Sequence, residues 1–332
     1  MTLPEILTRP LTLPVVASPM FIASGPELVI AQCKAGVIGS FPALNARPQS
    51  EVAEWLTRID DELTKAAADD PERTIAPYAL NQIVHRSNDR LDEDMQTCIE
   101  HEVPIVITSL GAREDVNEAI HAYGGIVLHD VINDRFARKA IEKGADGLVA
   151  VAAGAGGHAG STSPFALVTE IRSWFDGPLL LSGALAHGRS VLAAQVAGAD
   201  FAYIGSAFLS THEAHVVDAY KQMIVDSTAS DIVYSNLFTG VHGNYLRGSI
   251  AAHGMDPDGL PESDPSAMNF GSTEGNGPKP WKDIWGSGQG IGAVSRRQSV
   301  AELVQTLRAQ YEEALATPLR HGPQPSFATL GV

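Results

Sequence analysis

The chain has 332 residues, 44% hydrophobic and 19% charged, a balance typical of a globular protein with a large core. Lys and Arg total 23 against 39 Asp and Glu, which gives a formal net charge of −16. Nucleic acids and anionic membrane surfaces are bound by clustered positive charge, so this composition excludes a general role at either. An anionic ligand would therefore be held mainly by backbone N–H groups.

The two cysteines, Cys33 and Cys98, are far apart and form no CxxC pair. This usage is typical of a reducing compartment rather than of a secreted disulfide framework. The first residues contain neither a basic segment nor a long apolar run, so we expect no signal peptide. No apolar run approaches the roughly 20 residues that span a bilayer. We therefore expect a cytoplasmic protein without membrane contact.

Short apolar runs alternate with longer segments of helical period from residue 14 to about 225. The longer segments carry helix signals: Asn133 and Asp134 precede residues 135–143, and Gly144 follows them. The predicted strands are, in chain order, residues 14–17, 36–39, 78–81, 104–108, 125–129, 147–151, 178–182 and 201–204.

Eight strands alternating with helices predict an α/β fold, a (β/α)8 TIM barrel. The alternative is an open Rossmann-like sheet, which would have GxGxxG after its first strand. Here the first strand leads instead into residues 18–21, Ser-Pro-Met-Phe. The sequence therefore favours the barrel.

The pattern changes at residue 228. Residues 228–294 are rich in Gly, Pro, Asn and Asp, and they contain Tyr245, Trp281 and Trp285. Long irregular stretches in compact proteins are usually functional lids or linkers, and these aromatic residues favour an ordered lid. We predict a barrel over residues 1–227, an inserted lid over 228–294, and a C-terminal helix within 295–332 that returns to the barrel. The helix is placed at 299–316 and is followed by an extended tail from Pro318.

A glycine-rich loop with one histidine follows the sixth predicted strand. Residues 152–160 read Ala-Ala-Gly-Ala-Gly-Gly-His-Ala-Gly. Glycine lets a backbone approach a flat or phosphorylated ligand closely, and an imidazole at the end of such a loop can exchange a proton with that ligand. The alternative is a flexible turn with an incidental surface histidine.

Two further loops indicate a phosphate site. Glycines follow the seventh and eighth strands, at Gly183 and Gly205, each shortly before a helix. Paired loops in these positions are the usual phosphate cradle of the barrel. Ordinary tight turns are the alternative interpretation.

Four motifs carry a resemblance to the nitronate monooxygenases, formerly called 2-nitropropane dioxygenases. They are Ser-Pro-Met at 18–20, Ala-Gly-Gly-His at 155–158, Ser-Gly-Ala-Leu at 182–185 and Ile-Gly-Ser-Ala-Phe at 204–208. The resemblance implies an FMN-binding TIM barrel with a smaller lid, in which His158 faces the substrate. The residues predicted to bind FMN, from strand-end position and resemblance together, are Ala17, Ser18, Pro19, Met20, Asn81, Thr108, Gly156, Gly157, Ser182, Gly183, Ala184, Gly205 and Ser206.

The resemblance implies FMN-dependent oxidation of alkyl nitronates by O2 to a carbonyl compound and nitrite. His158 would remove the α-proton of a neutral nitroalkane or hold an anionic nitronate. An NAD(P)H:quinone oxidoreductase or an FMN-dependent enoyl reductase on the same barrel is the alternative. A barrel that binds a sugar or nucleotide phosphate without flavin, and a scaffold role, stay open as well. A small molecule and O2 are the expected partners, and a homodimer is possible.

Three positions depart from the family motif. Gly154 replaces its usual glutamate, Val151 its glutamine, and Ala184 stands where a second glycine is common. The segment 212–215, His-Glu-Ala-His, lacks the HExxH spacing and lies at a predicted helix start, so we expect no metal. His129 and His187 lie in strand-end loops, where a structural role is expected.

Overall fold

A computed structural model describes residues 3–263 and 279–317. Eight parallel strands are paired in the order β1-β9-β8-β6-β5-β4-β3-β2, and a parallel bridge between Val16 and Ile38 joins the two ends. The predicted TIM barrel is therefore confirmed, and the open sheet is excluded. The strands are β1 (Val15–Ala17), β2 (Gly39–Pro42), β3 (Tyr78–Ile83), β4 (Ile105–Ser109), β5 (Ile126–Val131), β6 (Gly147–Val151), β7 (Gly157–His158), β8 (Leu179–Ser182), β9 (Phe201–Ile204), β10 (Ile232–Ser235) and β11 (Gly243–Leu246).

The second strand was placed too early. Residues 36–39 were predicted, whereas β2 begins at Gly39 and pairs with β3 from there. The apolar run Val37-Ile38 supplies only the bridge that closes the barrel. The buried apolar run therefore immediately precedes the strand and is not part of it.

The helices surround the barrel. The Asn133 side chain accepts a 2.9 Å hydrogen bond from the Phe136 N–H, as the capping prediction required. The last long helix, α12, packs against α8 and α2 and so occupies the eighth helical position of the barrel. The helices are α1 (Glu5–Thr8), α2 (Pro26–Lys34), α3 (Glu51–Asp69), α4 (Leu91–Glu100), α5 (Glu114–His121), α6 (Asp134–Glu142), α7 (Pro164–Arg172), α8 (Gly188–Ala197), α9 (Ser206–Leu209), α10 (Asp218–Asp226), α11 (Arg247–Ala252) and α12 (Val300–Ala316).

Alternation along the strands divides the core into two clusters. Ile105 and Ile107 of β4 pack inside the barrel, whereas Val106 between them packs towards the helices. Leu7 of α1 joins the inner cluster and is 3% exposed. The barrel is thus filled by side chains below the C-terminal ends of its strands.

A small antiparallel sheet lies outside the barrel order, paired β10-β11-β7. The irregular composition of residues 228–294 did not predict its strands. Tyr245 of β11 forms a separate apolar cluster with Ile250 and Ile284. The predicted extended tail from Pro318 lies outside the described residues, as do residues 264–278 of the predicted lid. Among the helices in the described ranges, none has the length and apolar character needed to cross a bilayer.

Candidate active site

A cavity of about 1330 Å³ opens at the C-terminal ends of the barrel strands. This is the end of the barrel at which active sites lie, and the volume exceeds the ~300–1,000 Å³ of typical ligand pockets. His158 lines it, together with eleven of the thirteen residues predicted to bind FMN: Ser18, Pro19, Met20, Asn81, Gly156, Gly157, Ser182, Gly183, Ala184, Gly205 and Ser206.

The remaining two, Ala17 and Thr108, are not among the residues that line the cavity. The Ala17 N–H donates to the Ile38 carbonyl and its own carbonyl accepts from Ser40 Oγ at 2.5 Å, so its backbone is engaged within the sheet. Thr108 Oγ1 lies 2.6 Å from Nδ1 of His129, which does line the cavity. Thr108 therefore reaches the site through His129.

The histidine loop is a strand of the outer sheet. Gly157 and His158 form β7, and His158 lies opposite Gly243 of β11. Nε2 of His158 is 2.9 Å from Oγ1 of Thr239, whose hydroxyl donates to the Val241 carbonyl. Because that hydroxyl proton is engaged, the oxygen accepts from Nε2–H, which favours the tautomer protonated at Nε2. The loop is therefore held in place by Thr239 and by β11 and is not a flexible turn.

The Trp281 ring completes the wall around this histidine. It meets the imidazole edge-on, with ring centroids 5.4 Å apart, and stacks on Tyr245 at 5.1 Å. Burial lowers the pKa of His158 to about 4. A histidine at this position is expected from sequence to titrate near neutrality, whereas desolvation keeps this imidazole uncharged at pH 7.

Gly154 has a structural reason to lack the family's glutamate. Its φ is +83°, which favours glycine, and a Cβ there would lie 2.9 Å from Gln289 Oε1. Its carbonyl accepts from the N–H groups of Ala184 (3.1 Å) and Gln289 (2.9 Å). Gly154 therefore joins the histidine loop to the loop after β8 and to residues 288–290.

Protein packing also requires Gly156. A Cβ at this position would lie 2.9 Å from the Gly288 backbone nitrogen. The Gly288 N–H in turn donates to Ser206 Oγ at 2.8 Å. Glycine at 156 therefore lets the segment 287–288 pass closely over the histidine loop, a role that the ligand argument from sequence did not foresee.

The two predicted phosphate loops lie side by side on the cavity wall, but the N-terminus of α8 is capped internally. Its first amide groups are taken by side chains: Gly188 N–H donates to Gln310 Oε1 (2.9 Å) and Arg189 N–H to His187 Nδ1 (3.0 Å). His187 is thus a structural cap, as expected. Any phosphate would be bound by the backbone at Gly183 and Gly205–Ser206 rather than by this helix end, since the Ala184 N–H donates to the Gly154 carbonyl.

Hydrogen-bonded polar side chains lie along the same wall, and only Asn81 among them was predicted from sequence to bind the cofactor. Asn81 Nδ2 donates to Ser109 Oγ at 2.8 Å, and Ser109 Oγ donates to Asp130 Oδ2 at 2.6 Å. Burial raises the pKa of Asp130 to about 6, against the lowering effect of the Ser109 hydrogen bond. Burial, followed by the Asp130 charge, also raises the pKa of Tyr203. The only sequence signal was that Asp130 lies near the end of a predicted strand.

The cavity wall fits a flavin. Three buried polar atoms of lining residues, Asp130 Oδ1, Tyr203 Oη and Ser287 Oγ, lack a hydrogen-bond partner among the described residues. Buried polar atoms are nearly always satisfied, so their position indicates a polar ligand. Glycine backbone for a phosphate and amide and hydroxyl groups for a heterocycle are both present.

The remaining candidates have structural roles. Trp285 stacks on Tyr220 with centroids 4.9 Å apart, and Tyr245 of β11 is fully buried; neither lines the cavity, whereas Trp281 does. Glu213, from the segment 212–215, accepts a hydrogen bond from the Val300 N–H, and this segment is not helical. Within the described residues no group of three or more potential metal ligands occurs.

Comparison with known proteins identifies the family. A family model described as nitronate monooxygenase matches residues 5–310. Nitronate monooxygenase of Paraburkholderia phytofirmans is 24% identical over 350 aligned positions, which cover 91% of this chain and 93% of that protein. A Mycobacterium tuberculosis protein named as a monooxygenase is 29% identical over 196 residues, 58% of this chain. The match spans about half of that relative, 51% of its length.

Solved structures share the fold. Nitroalkane oxidase from Streptomyces ansochromogenes superposes with a TM-score of 0.73 at 22% identity, covering 92% of this chain and 97% of that one. FabK from Thermotoga maritima gives a TM-score of 0.71 at 23% identity, covering 94% and 96%. Together with the family match over nearly the whole chain, the cavity described above is that of a flavin-dependent oxidoreductase, and the chain belongs to the nitronate monooxygenase family.

Proposed function

We propose that this protein oxidises alkyl nitronates with FMN and O2, releasing a carbonyl compound and nitrite. The observation that carries the proposal is the position of His158, on the cavity wall between the glycine-rich loop and Trp281. A small anionic substrate could enter here beside one titratable group and an aromatic surface. Family membership supports the reaction class.

FMN is the flavin that the wall suits best. The N–H groups of the backbone at Gly183 and Gly205–Ser206 would hold the phosphate. Asn81 and Gly156 would lie near the ring. When bound, the flavin supplies the electron transfer, and the protein contributes binding, orientation and electrostatics.

The state of His158 favours an anionic substrate. Its imidazole is neutral at pH 7, because burial lowers its pKa to about 4. A nitronate bound beside it would raise that pKa, since a nearby opposite charge stabilises the imidazolium. A neutral nitroalkane carries no such charge, and an imidazole of low pKa is a weak base towards its α-proton. We therefore propose that the nitronate, rather than the nitroalkane, is the substrate form.

An absorption spectrum tests the cofactor, and anaerobic mixing tests the reaction. We expect flavin bands that bleach on addition of a nitronate but not of NADH. Rapid bleaching by NADH would favour the quinone reductase or enoyl reductase instead. A protein that shows no flavin bands after addition of FMN would refute the proposal.

His158→Asn tests the residue. Loss of a hydrogen bond to a charged group costs about 1.5–3 kcal/mol, so kcat/KM for the nitronate should fall by about 10- to 100-fold with FMN content unchanged. His121→Asn is the matched control, because His121 lies on α5 with its ring paired to Asp146. Equal kcat/KM in the wild type and in His158→Asn would exclude His158 from the reaction.

A further inference from the structure

Asp130, near the C-terminal end of β5, lies on the cavity wall and has no role in the function proposed above. Its Oδ2 accepts from Ser109, whereas its Oδ1 is buried and has no hydrogen-bond partner in the part of the chain that the structure describes. One carboxyl oxygen is therefore fixed by the protein and the other is left for a ligand.

The direction of the hydrogen bonds decides where a proton on this carboxyl would reside. Asn81 Nδ2 can only donate, so Ser109 Oγ accepts from it and uses its own proton towards Asp130 Oδ2. Oδ2 is thus an acceptor in either state of the acid. When Asp130 is protonated, its proton resides on Oδ1, which then becomes a hydrogen-bond donor.

The surroundings of Asp130 favour the neutral acid. Neighbouring β4 contributes the Ser109 hydroxyl, β6 contributes Val149 in register, and Tyr203 of β9 is uncharged. His129, which precedes Asp130 on β5, is neutral because burial lowers its pKa to about 4. None of the basic side chains that line the cavity forms an ion pair with Asp130 among the described residues; they are Arg47, Lys139, Lys279 and Lys282.

We propose that Asp130 binds the flavin as a neutral carboxylic acid, whose Oδ1–H donates to a nitrogen or oxygen acceptor of the cofactor. This inference rests on the proposed FMN site. Ionisation would convert the donor into a buried, unpaired carboxylate facing that acceptor. Flavin affinity should therefore fall as pH rises, and the pKa of about 6 that burial gives Asp130 places this fall between pH 5 and pH 8.

The test is the dissociation constant of FMN from the apoprotein, measured by flavin fluorescence at pH 5, 6, 7 and 8. A phosphate monoester also titrates near pH 6, so the informative quantity is the ratio of wild-type to Asp130→Asn constants. The amide of asparagine keeps a donor at the Oδ1 position at every pH. With a pKa near 6, the ratio should rise by up to about 100-fold from pH 5 to pH 8. Riboflavin, which lacks the phosphate, should give the same trend.

Two variants separate this role from a purely structural one. Asp130→Leu removes the donor and should bind FMN more weakly than Asp130→Asn at pH 5. Ser109→Ala removes a hydrogen bond that lowers the pKa of Asp130, so the fall in affinity should move to higher pH. Packing alone would not move the pH at which affinity falls, so the Ser109→Ala result decides between the two roles.

The outcomes are distinguishable. A wild-type to Asp130→Asn ratio that stays flat or falls as pH rises, in a protein that binds FMN, overturns the role of Asp130 alone. A falling ratio would mean that the carboxylate accepts a hydrogen bond from the cofactor. Failure of the wild-type protein to bind FMN at any pH overturns the proposed function and, with it, this inference.

Discussion

Acidification should weaken the folded protein through His158, and His158→Asn should remove that part of the pH dependence. The pKa of the buried imidazole is lowered to about 4 from 6.5 in the unfolded chain. A lowered pKa means that the folded state binds a proton less readily than the unfolded state does. The stability contributed by the neutral ring is therefore fully present above pH 6.5 and is lost as pH falls through 4.

The size of the effect follows from the shift. About 2.5 pKa units at 1.36 kcal/mol per unit give a limit of about 3 kcal/mol in the free energy of unfolding. At pH 4.5 about 2.5 kcal/mol of this would be lost, and at pH 7.5 almost none. The His158 side chain is only partly buried by solvent accessibility, so these values are upper bounds.

The assay is urea unfolding of the flavin-free protein at pH 7.5 and pH 4.5. The decrease in the free energy of unfolding between the two pH values is measured for the wild type and for His158→Asn. The difference between the two decreases gives the contribution of His158, because His129 titrates in both proteins. Thr239→Val is the control: it removes the hydroxyl near Nε2 but keeps the ring, so the pH-dependent loss should persist. Equal losses in the wild type and in His158→Asn would refute the reasoning.

Three further predictions concern the folded state. Gly290→Ala should lower the free energy of unfolding by about 1–3 kcal/mol, because the new Cβ would lie 2.8 Å from the Ala184 backbone. Gly292→Ala is the matched control, because its Cβ would meet nothing nearer than 4.0 Å. Equal urea midpoints for the two variants would contradict the prediction. Ala184 has a φ of +57°, and replacing it by glycine should remove a backbone strain of about 1–2 kcal/mol. The greater entropy of glycine in the unfolded chain offsets part of this gain, so the free energy of unfolding should change little; a decrease above ~1 kcal/mol in urea unfolding would contradict the prediction. Asp130 has the opposite pH sign to His158: its raised pKa contributes stability below pH 3.8 that is lost as pH rises through about 6. Asp130→Asn should therefore abolish a loss of up to about 2.5 kcal/mol between pH 4 and pH 8, and an unchanged pH profile would count against it.

Much of the fold was readable from local sequence. Strands buried on both faces are continuous apolar runs, and helices that return to them end in glycine, so seven of the eight barrel strands lie where they were predicted. The position of the ligand end follows from the same pattern, because parallel strands present their C-terminal ends together. This is why most predicted cofactor residues line one cavity.

The sequence by itself thus determined the barrel, the end of it at which the cavity lies, and the family motifs around His158. Only the tertiary structure decided which distant residues act on those motifs. Thr239 contacts His158 although they are 81 positions apart, and Gln310 caps α8 from 122 positions away. The Gln289 side chain occupies the space beside Gly154. The pairing of Ser109 with Asp130 depends on neighbouring strands in register. Such contacts leave no periodic trace in the chain, because they depend on how the barrel closes and on where residues far along the chain pack against it.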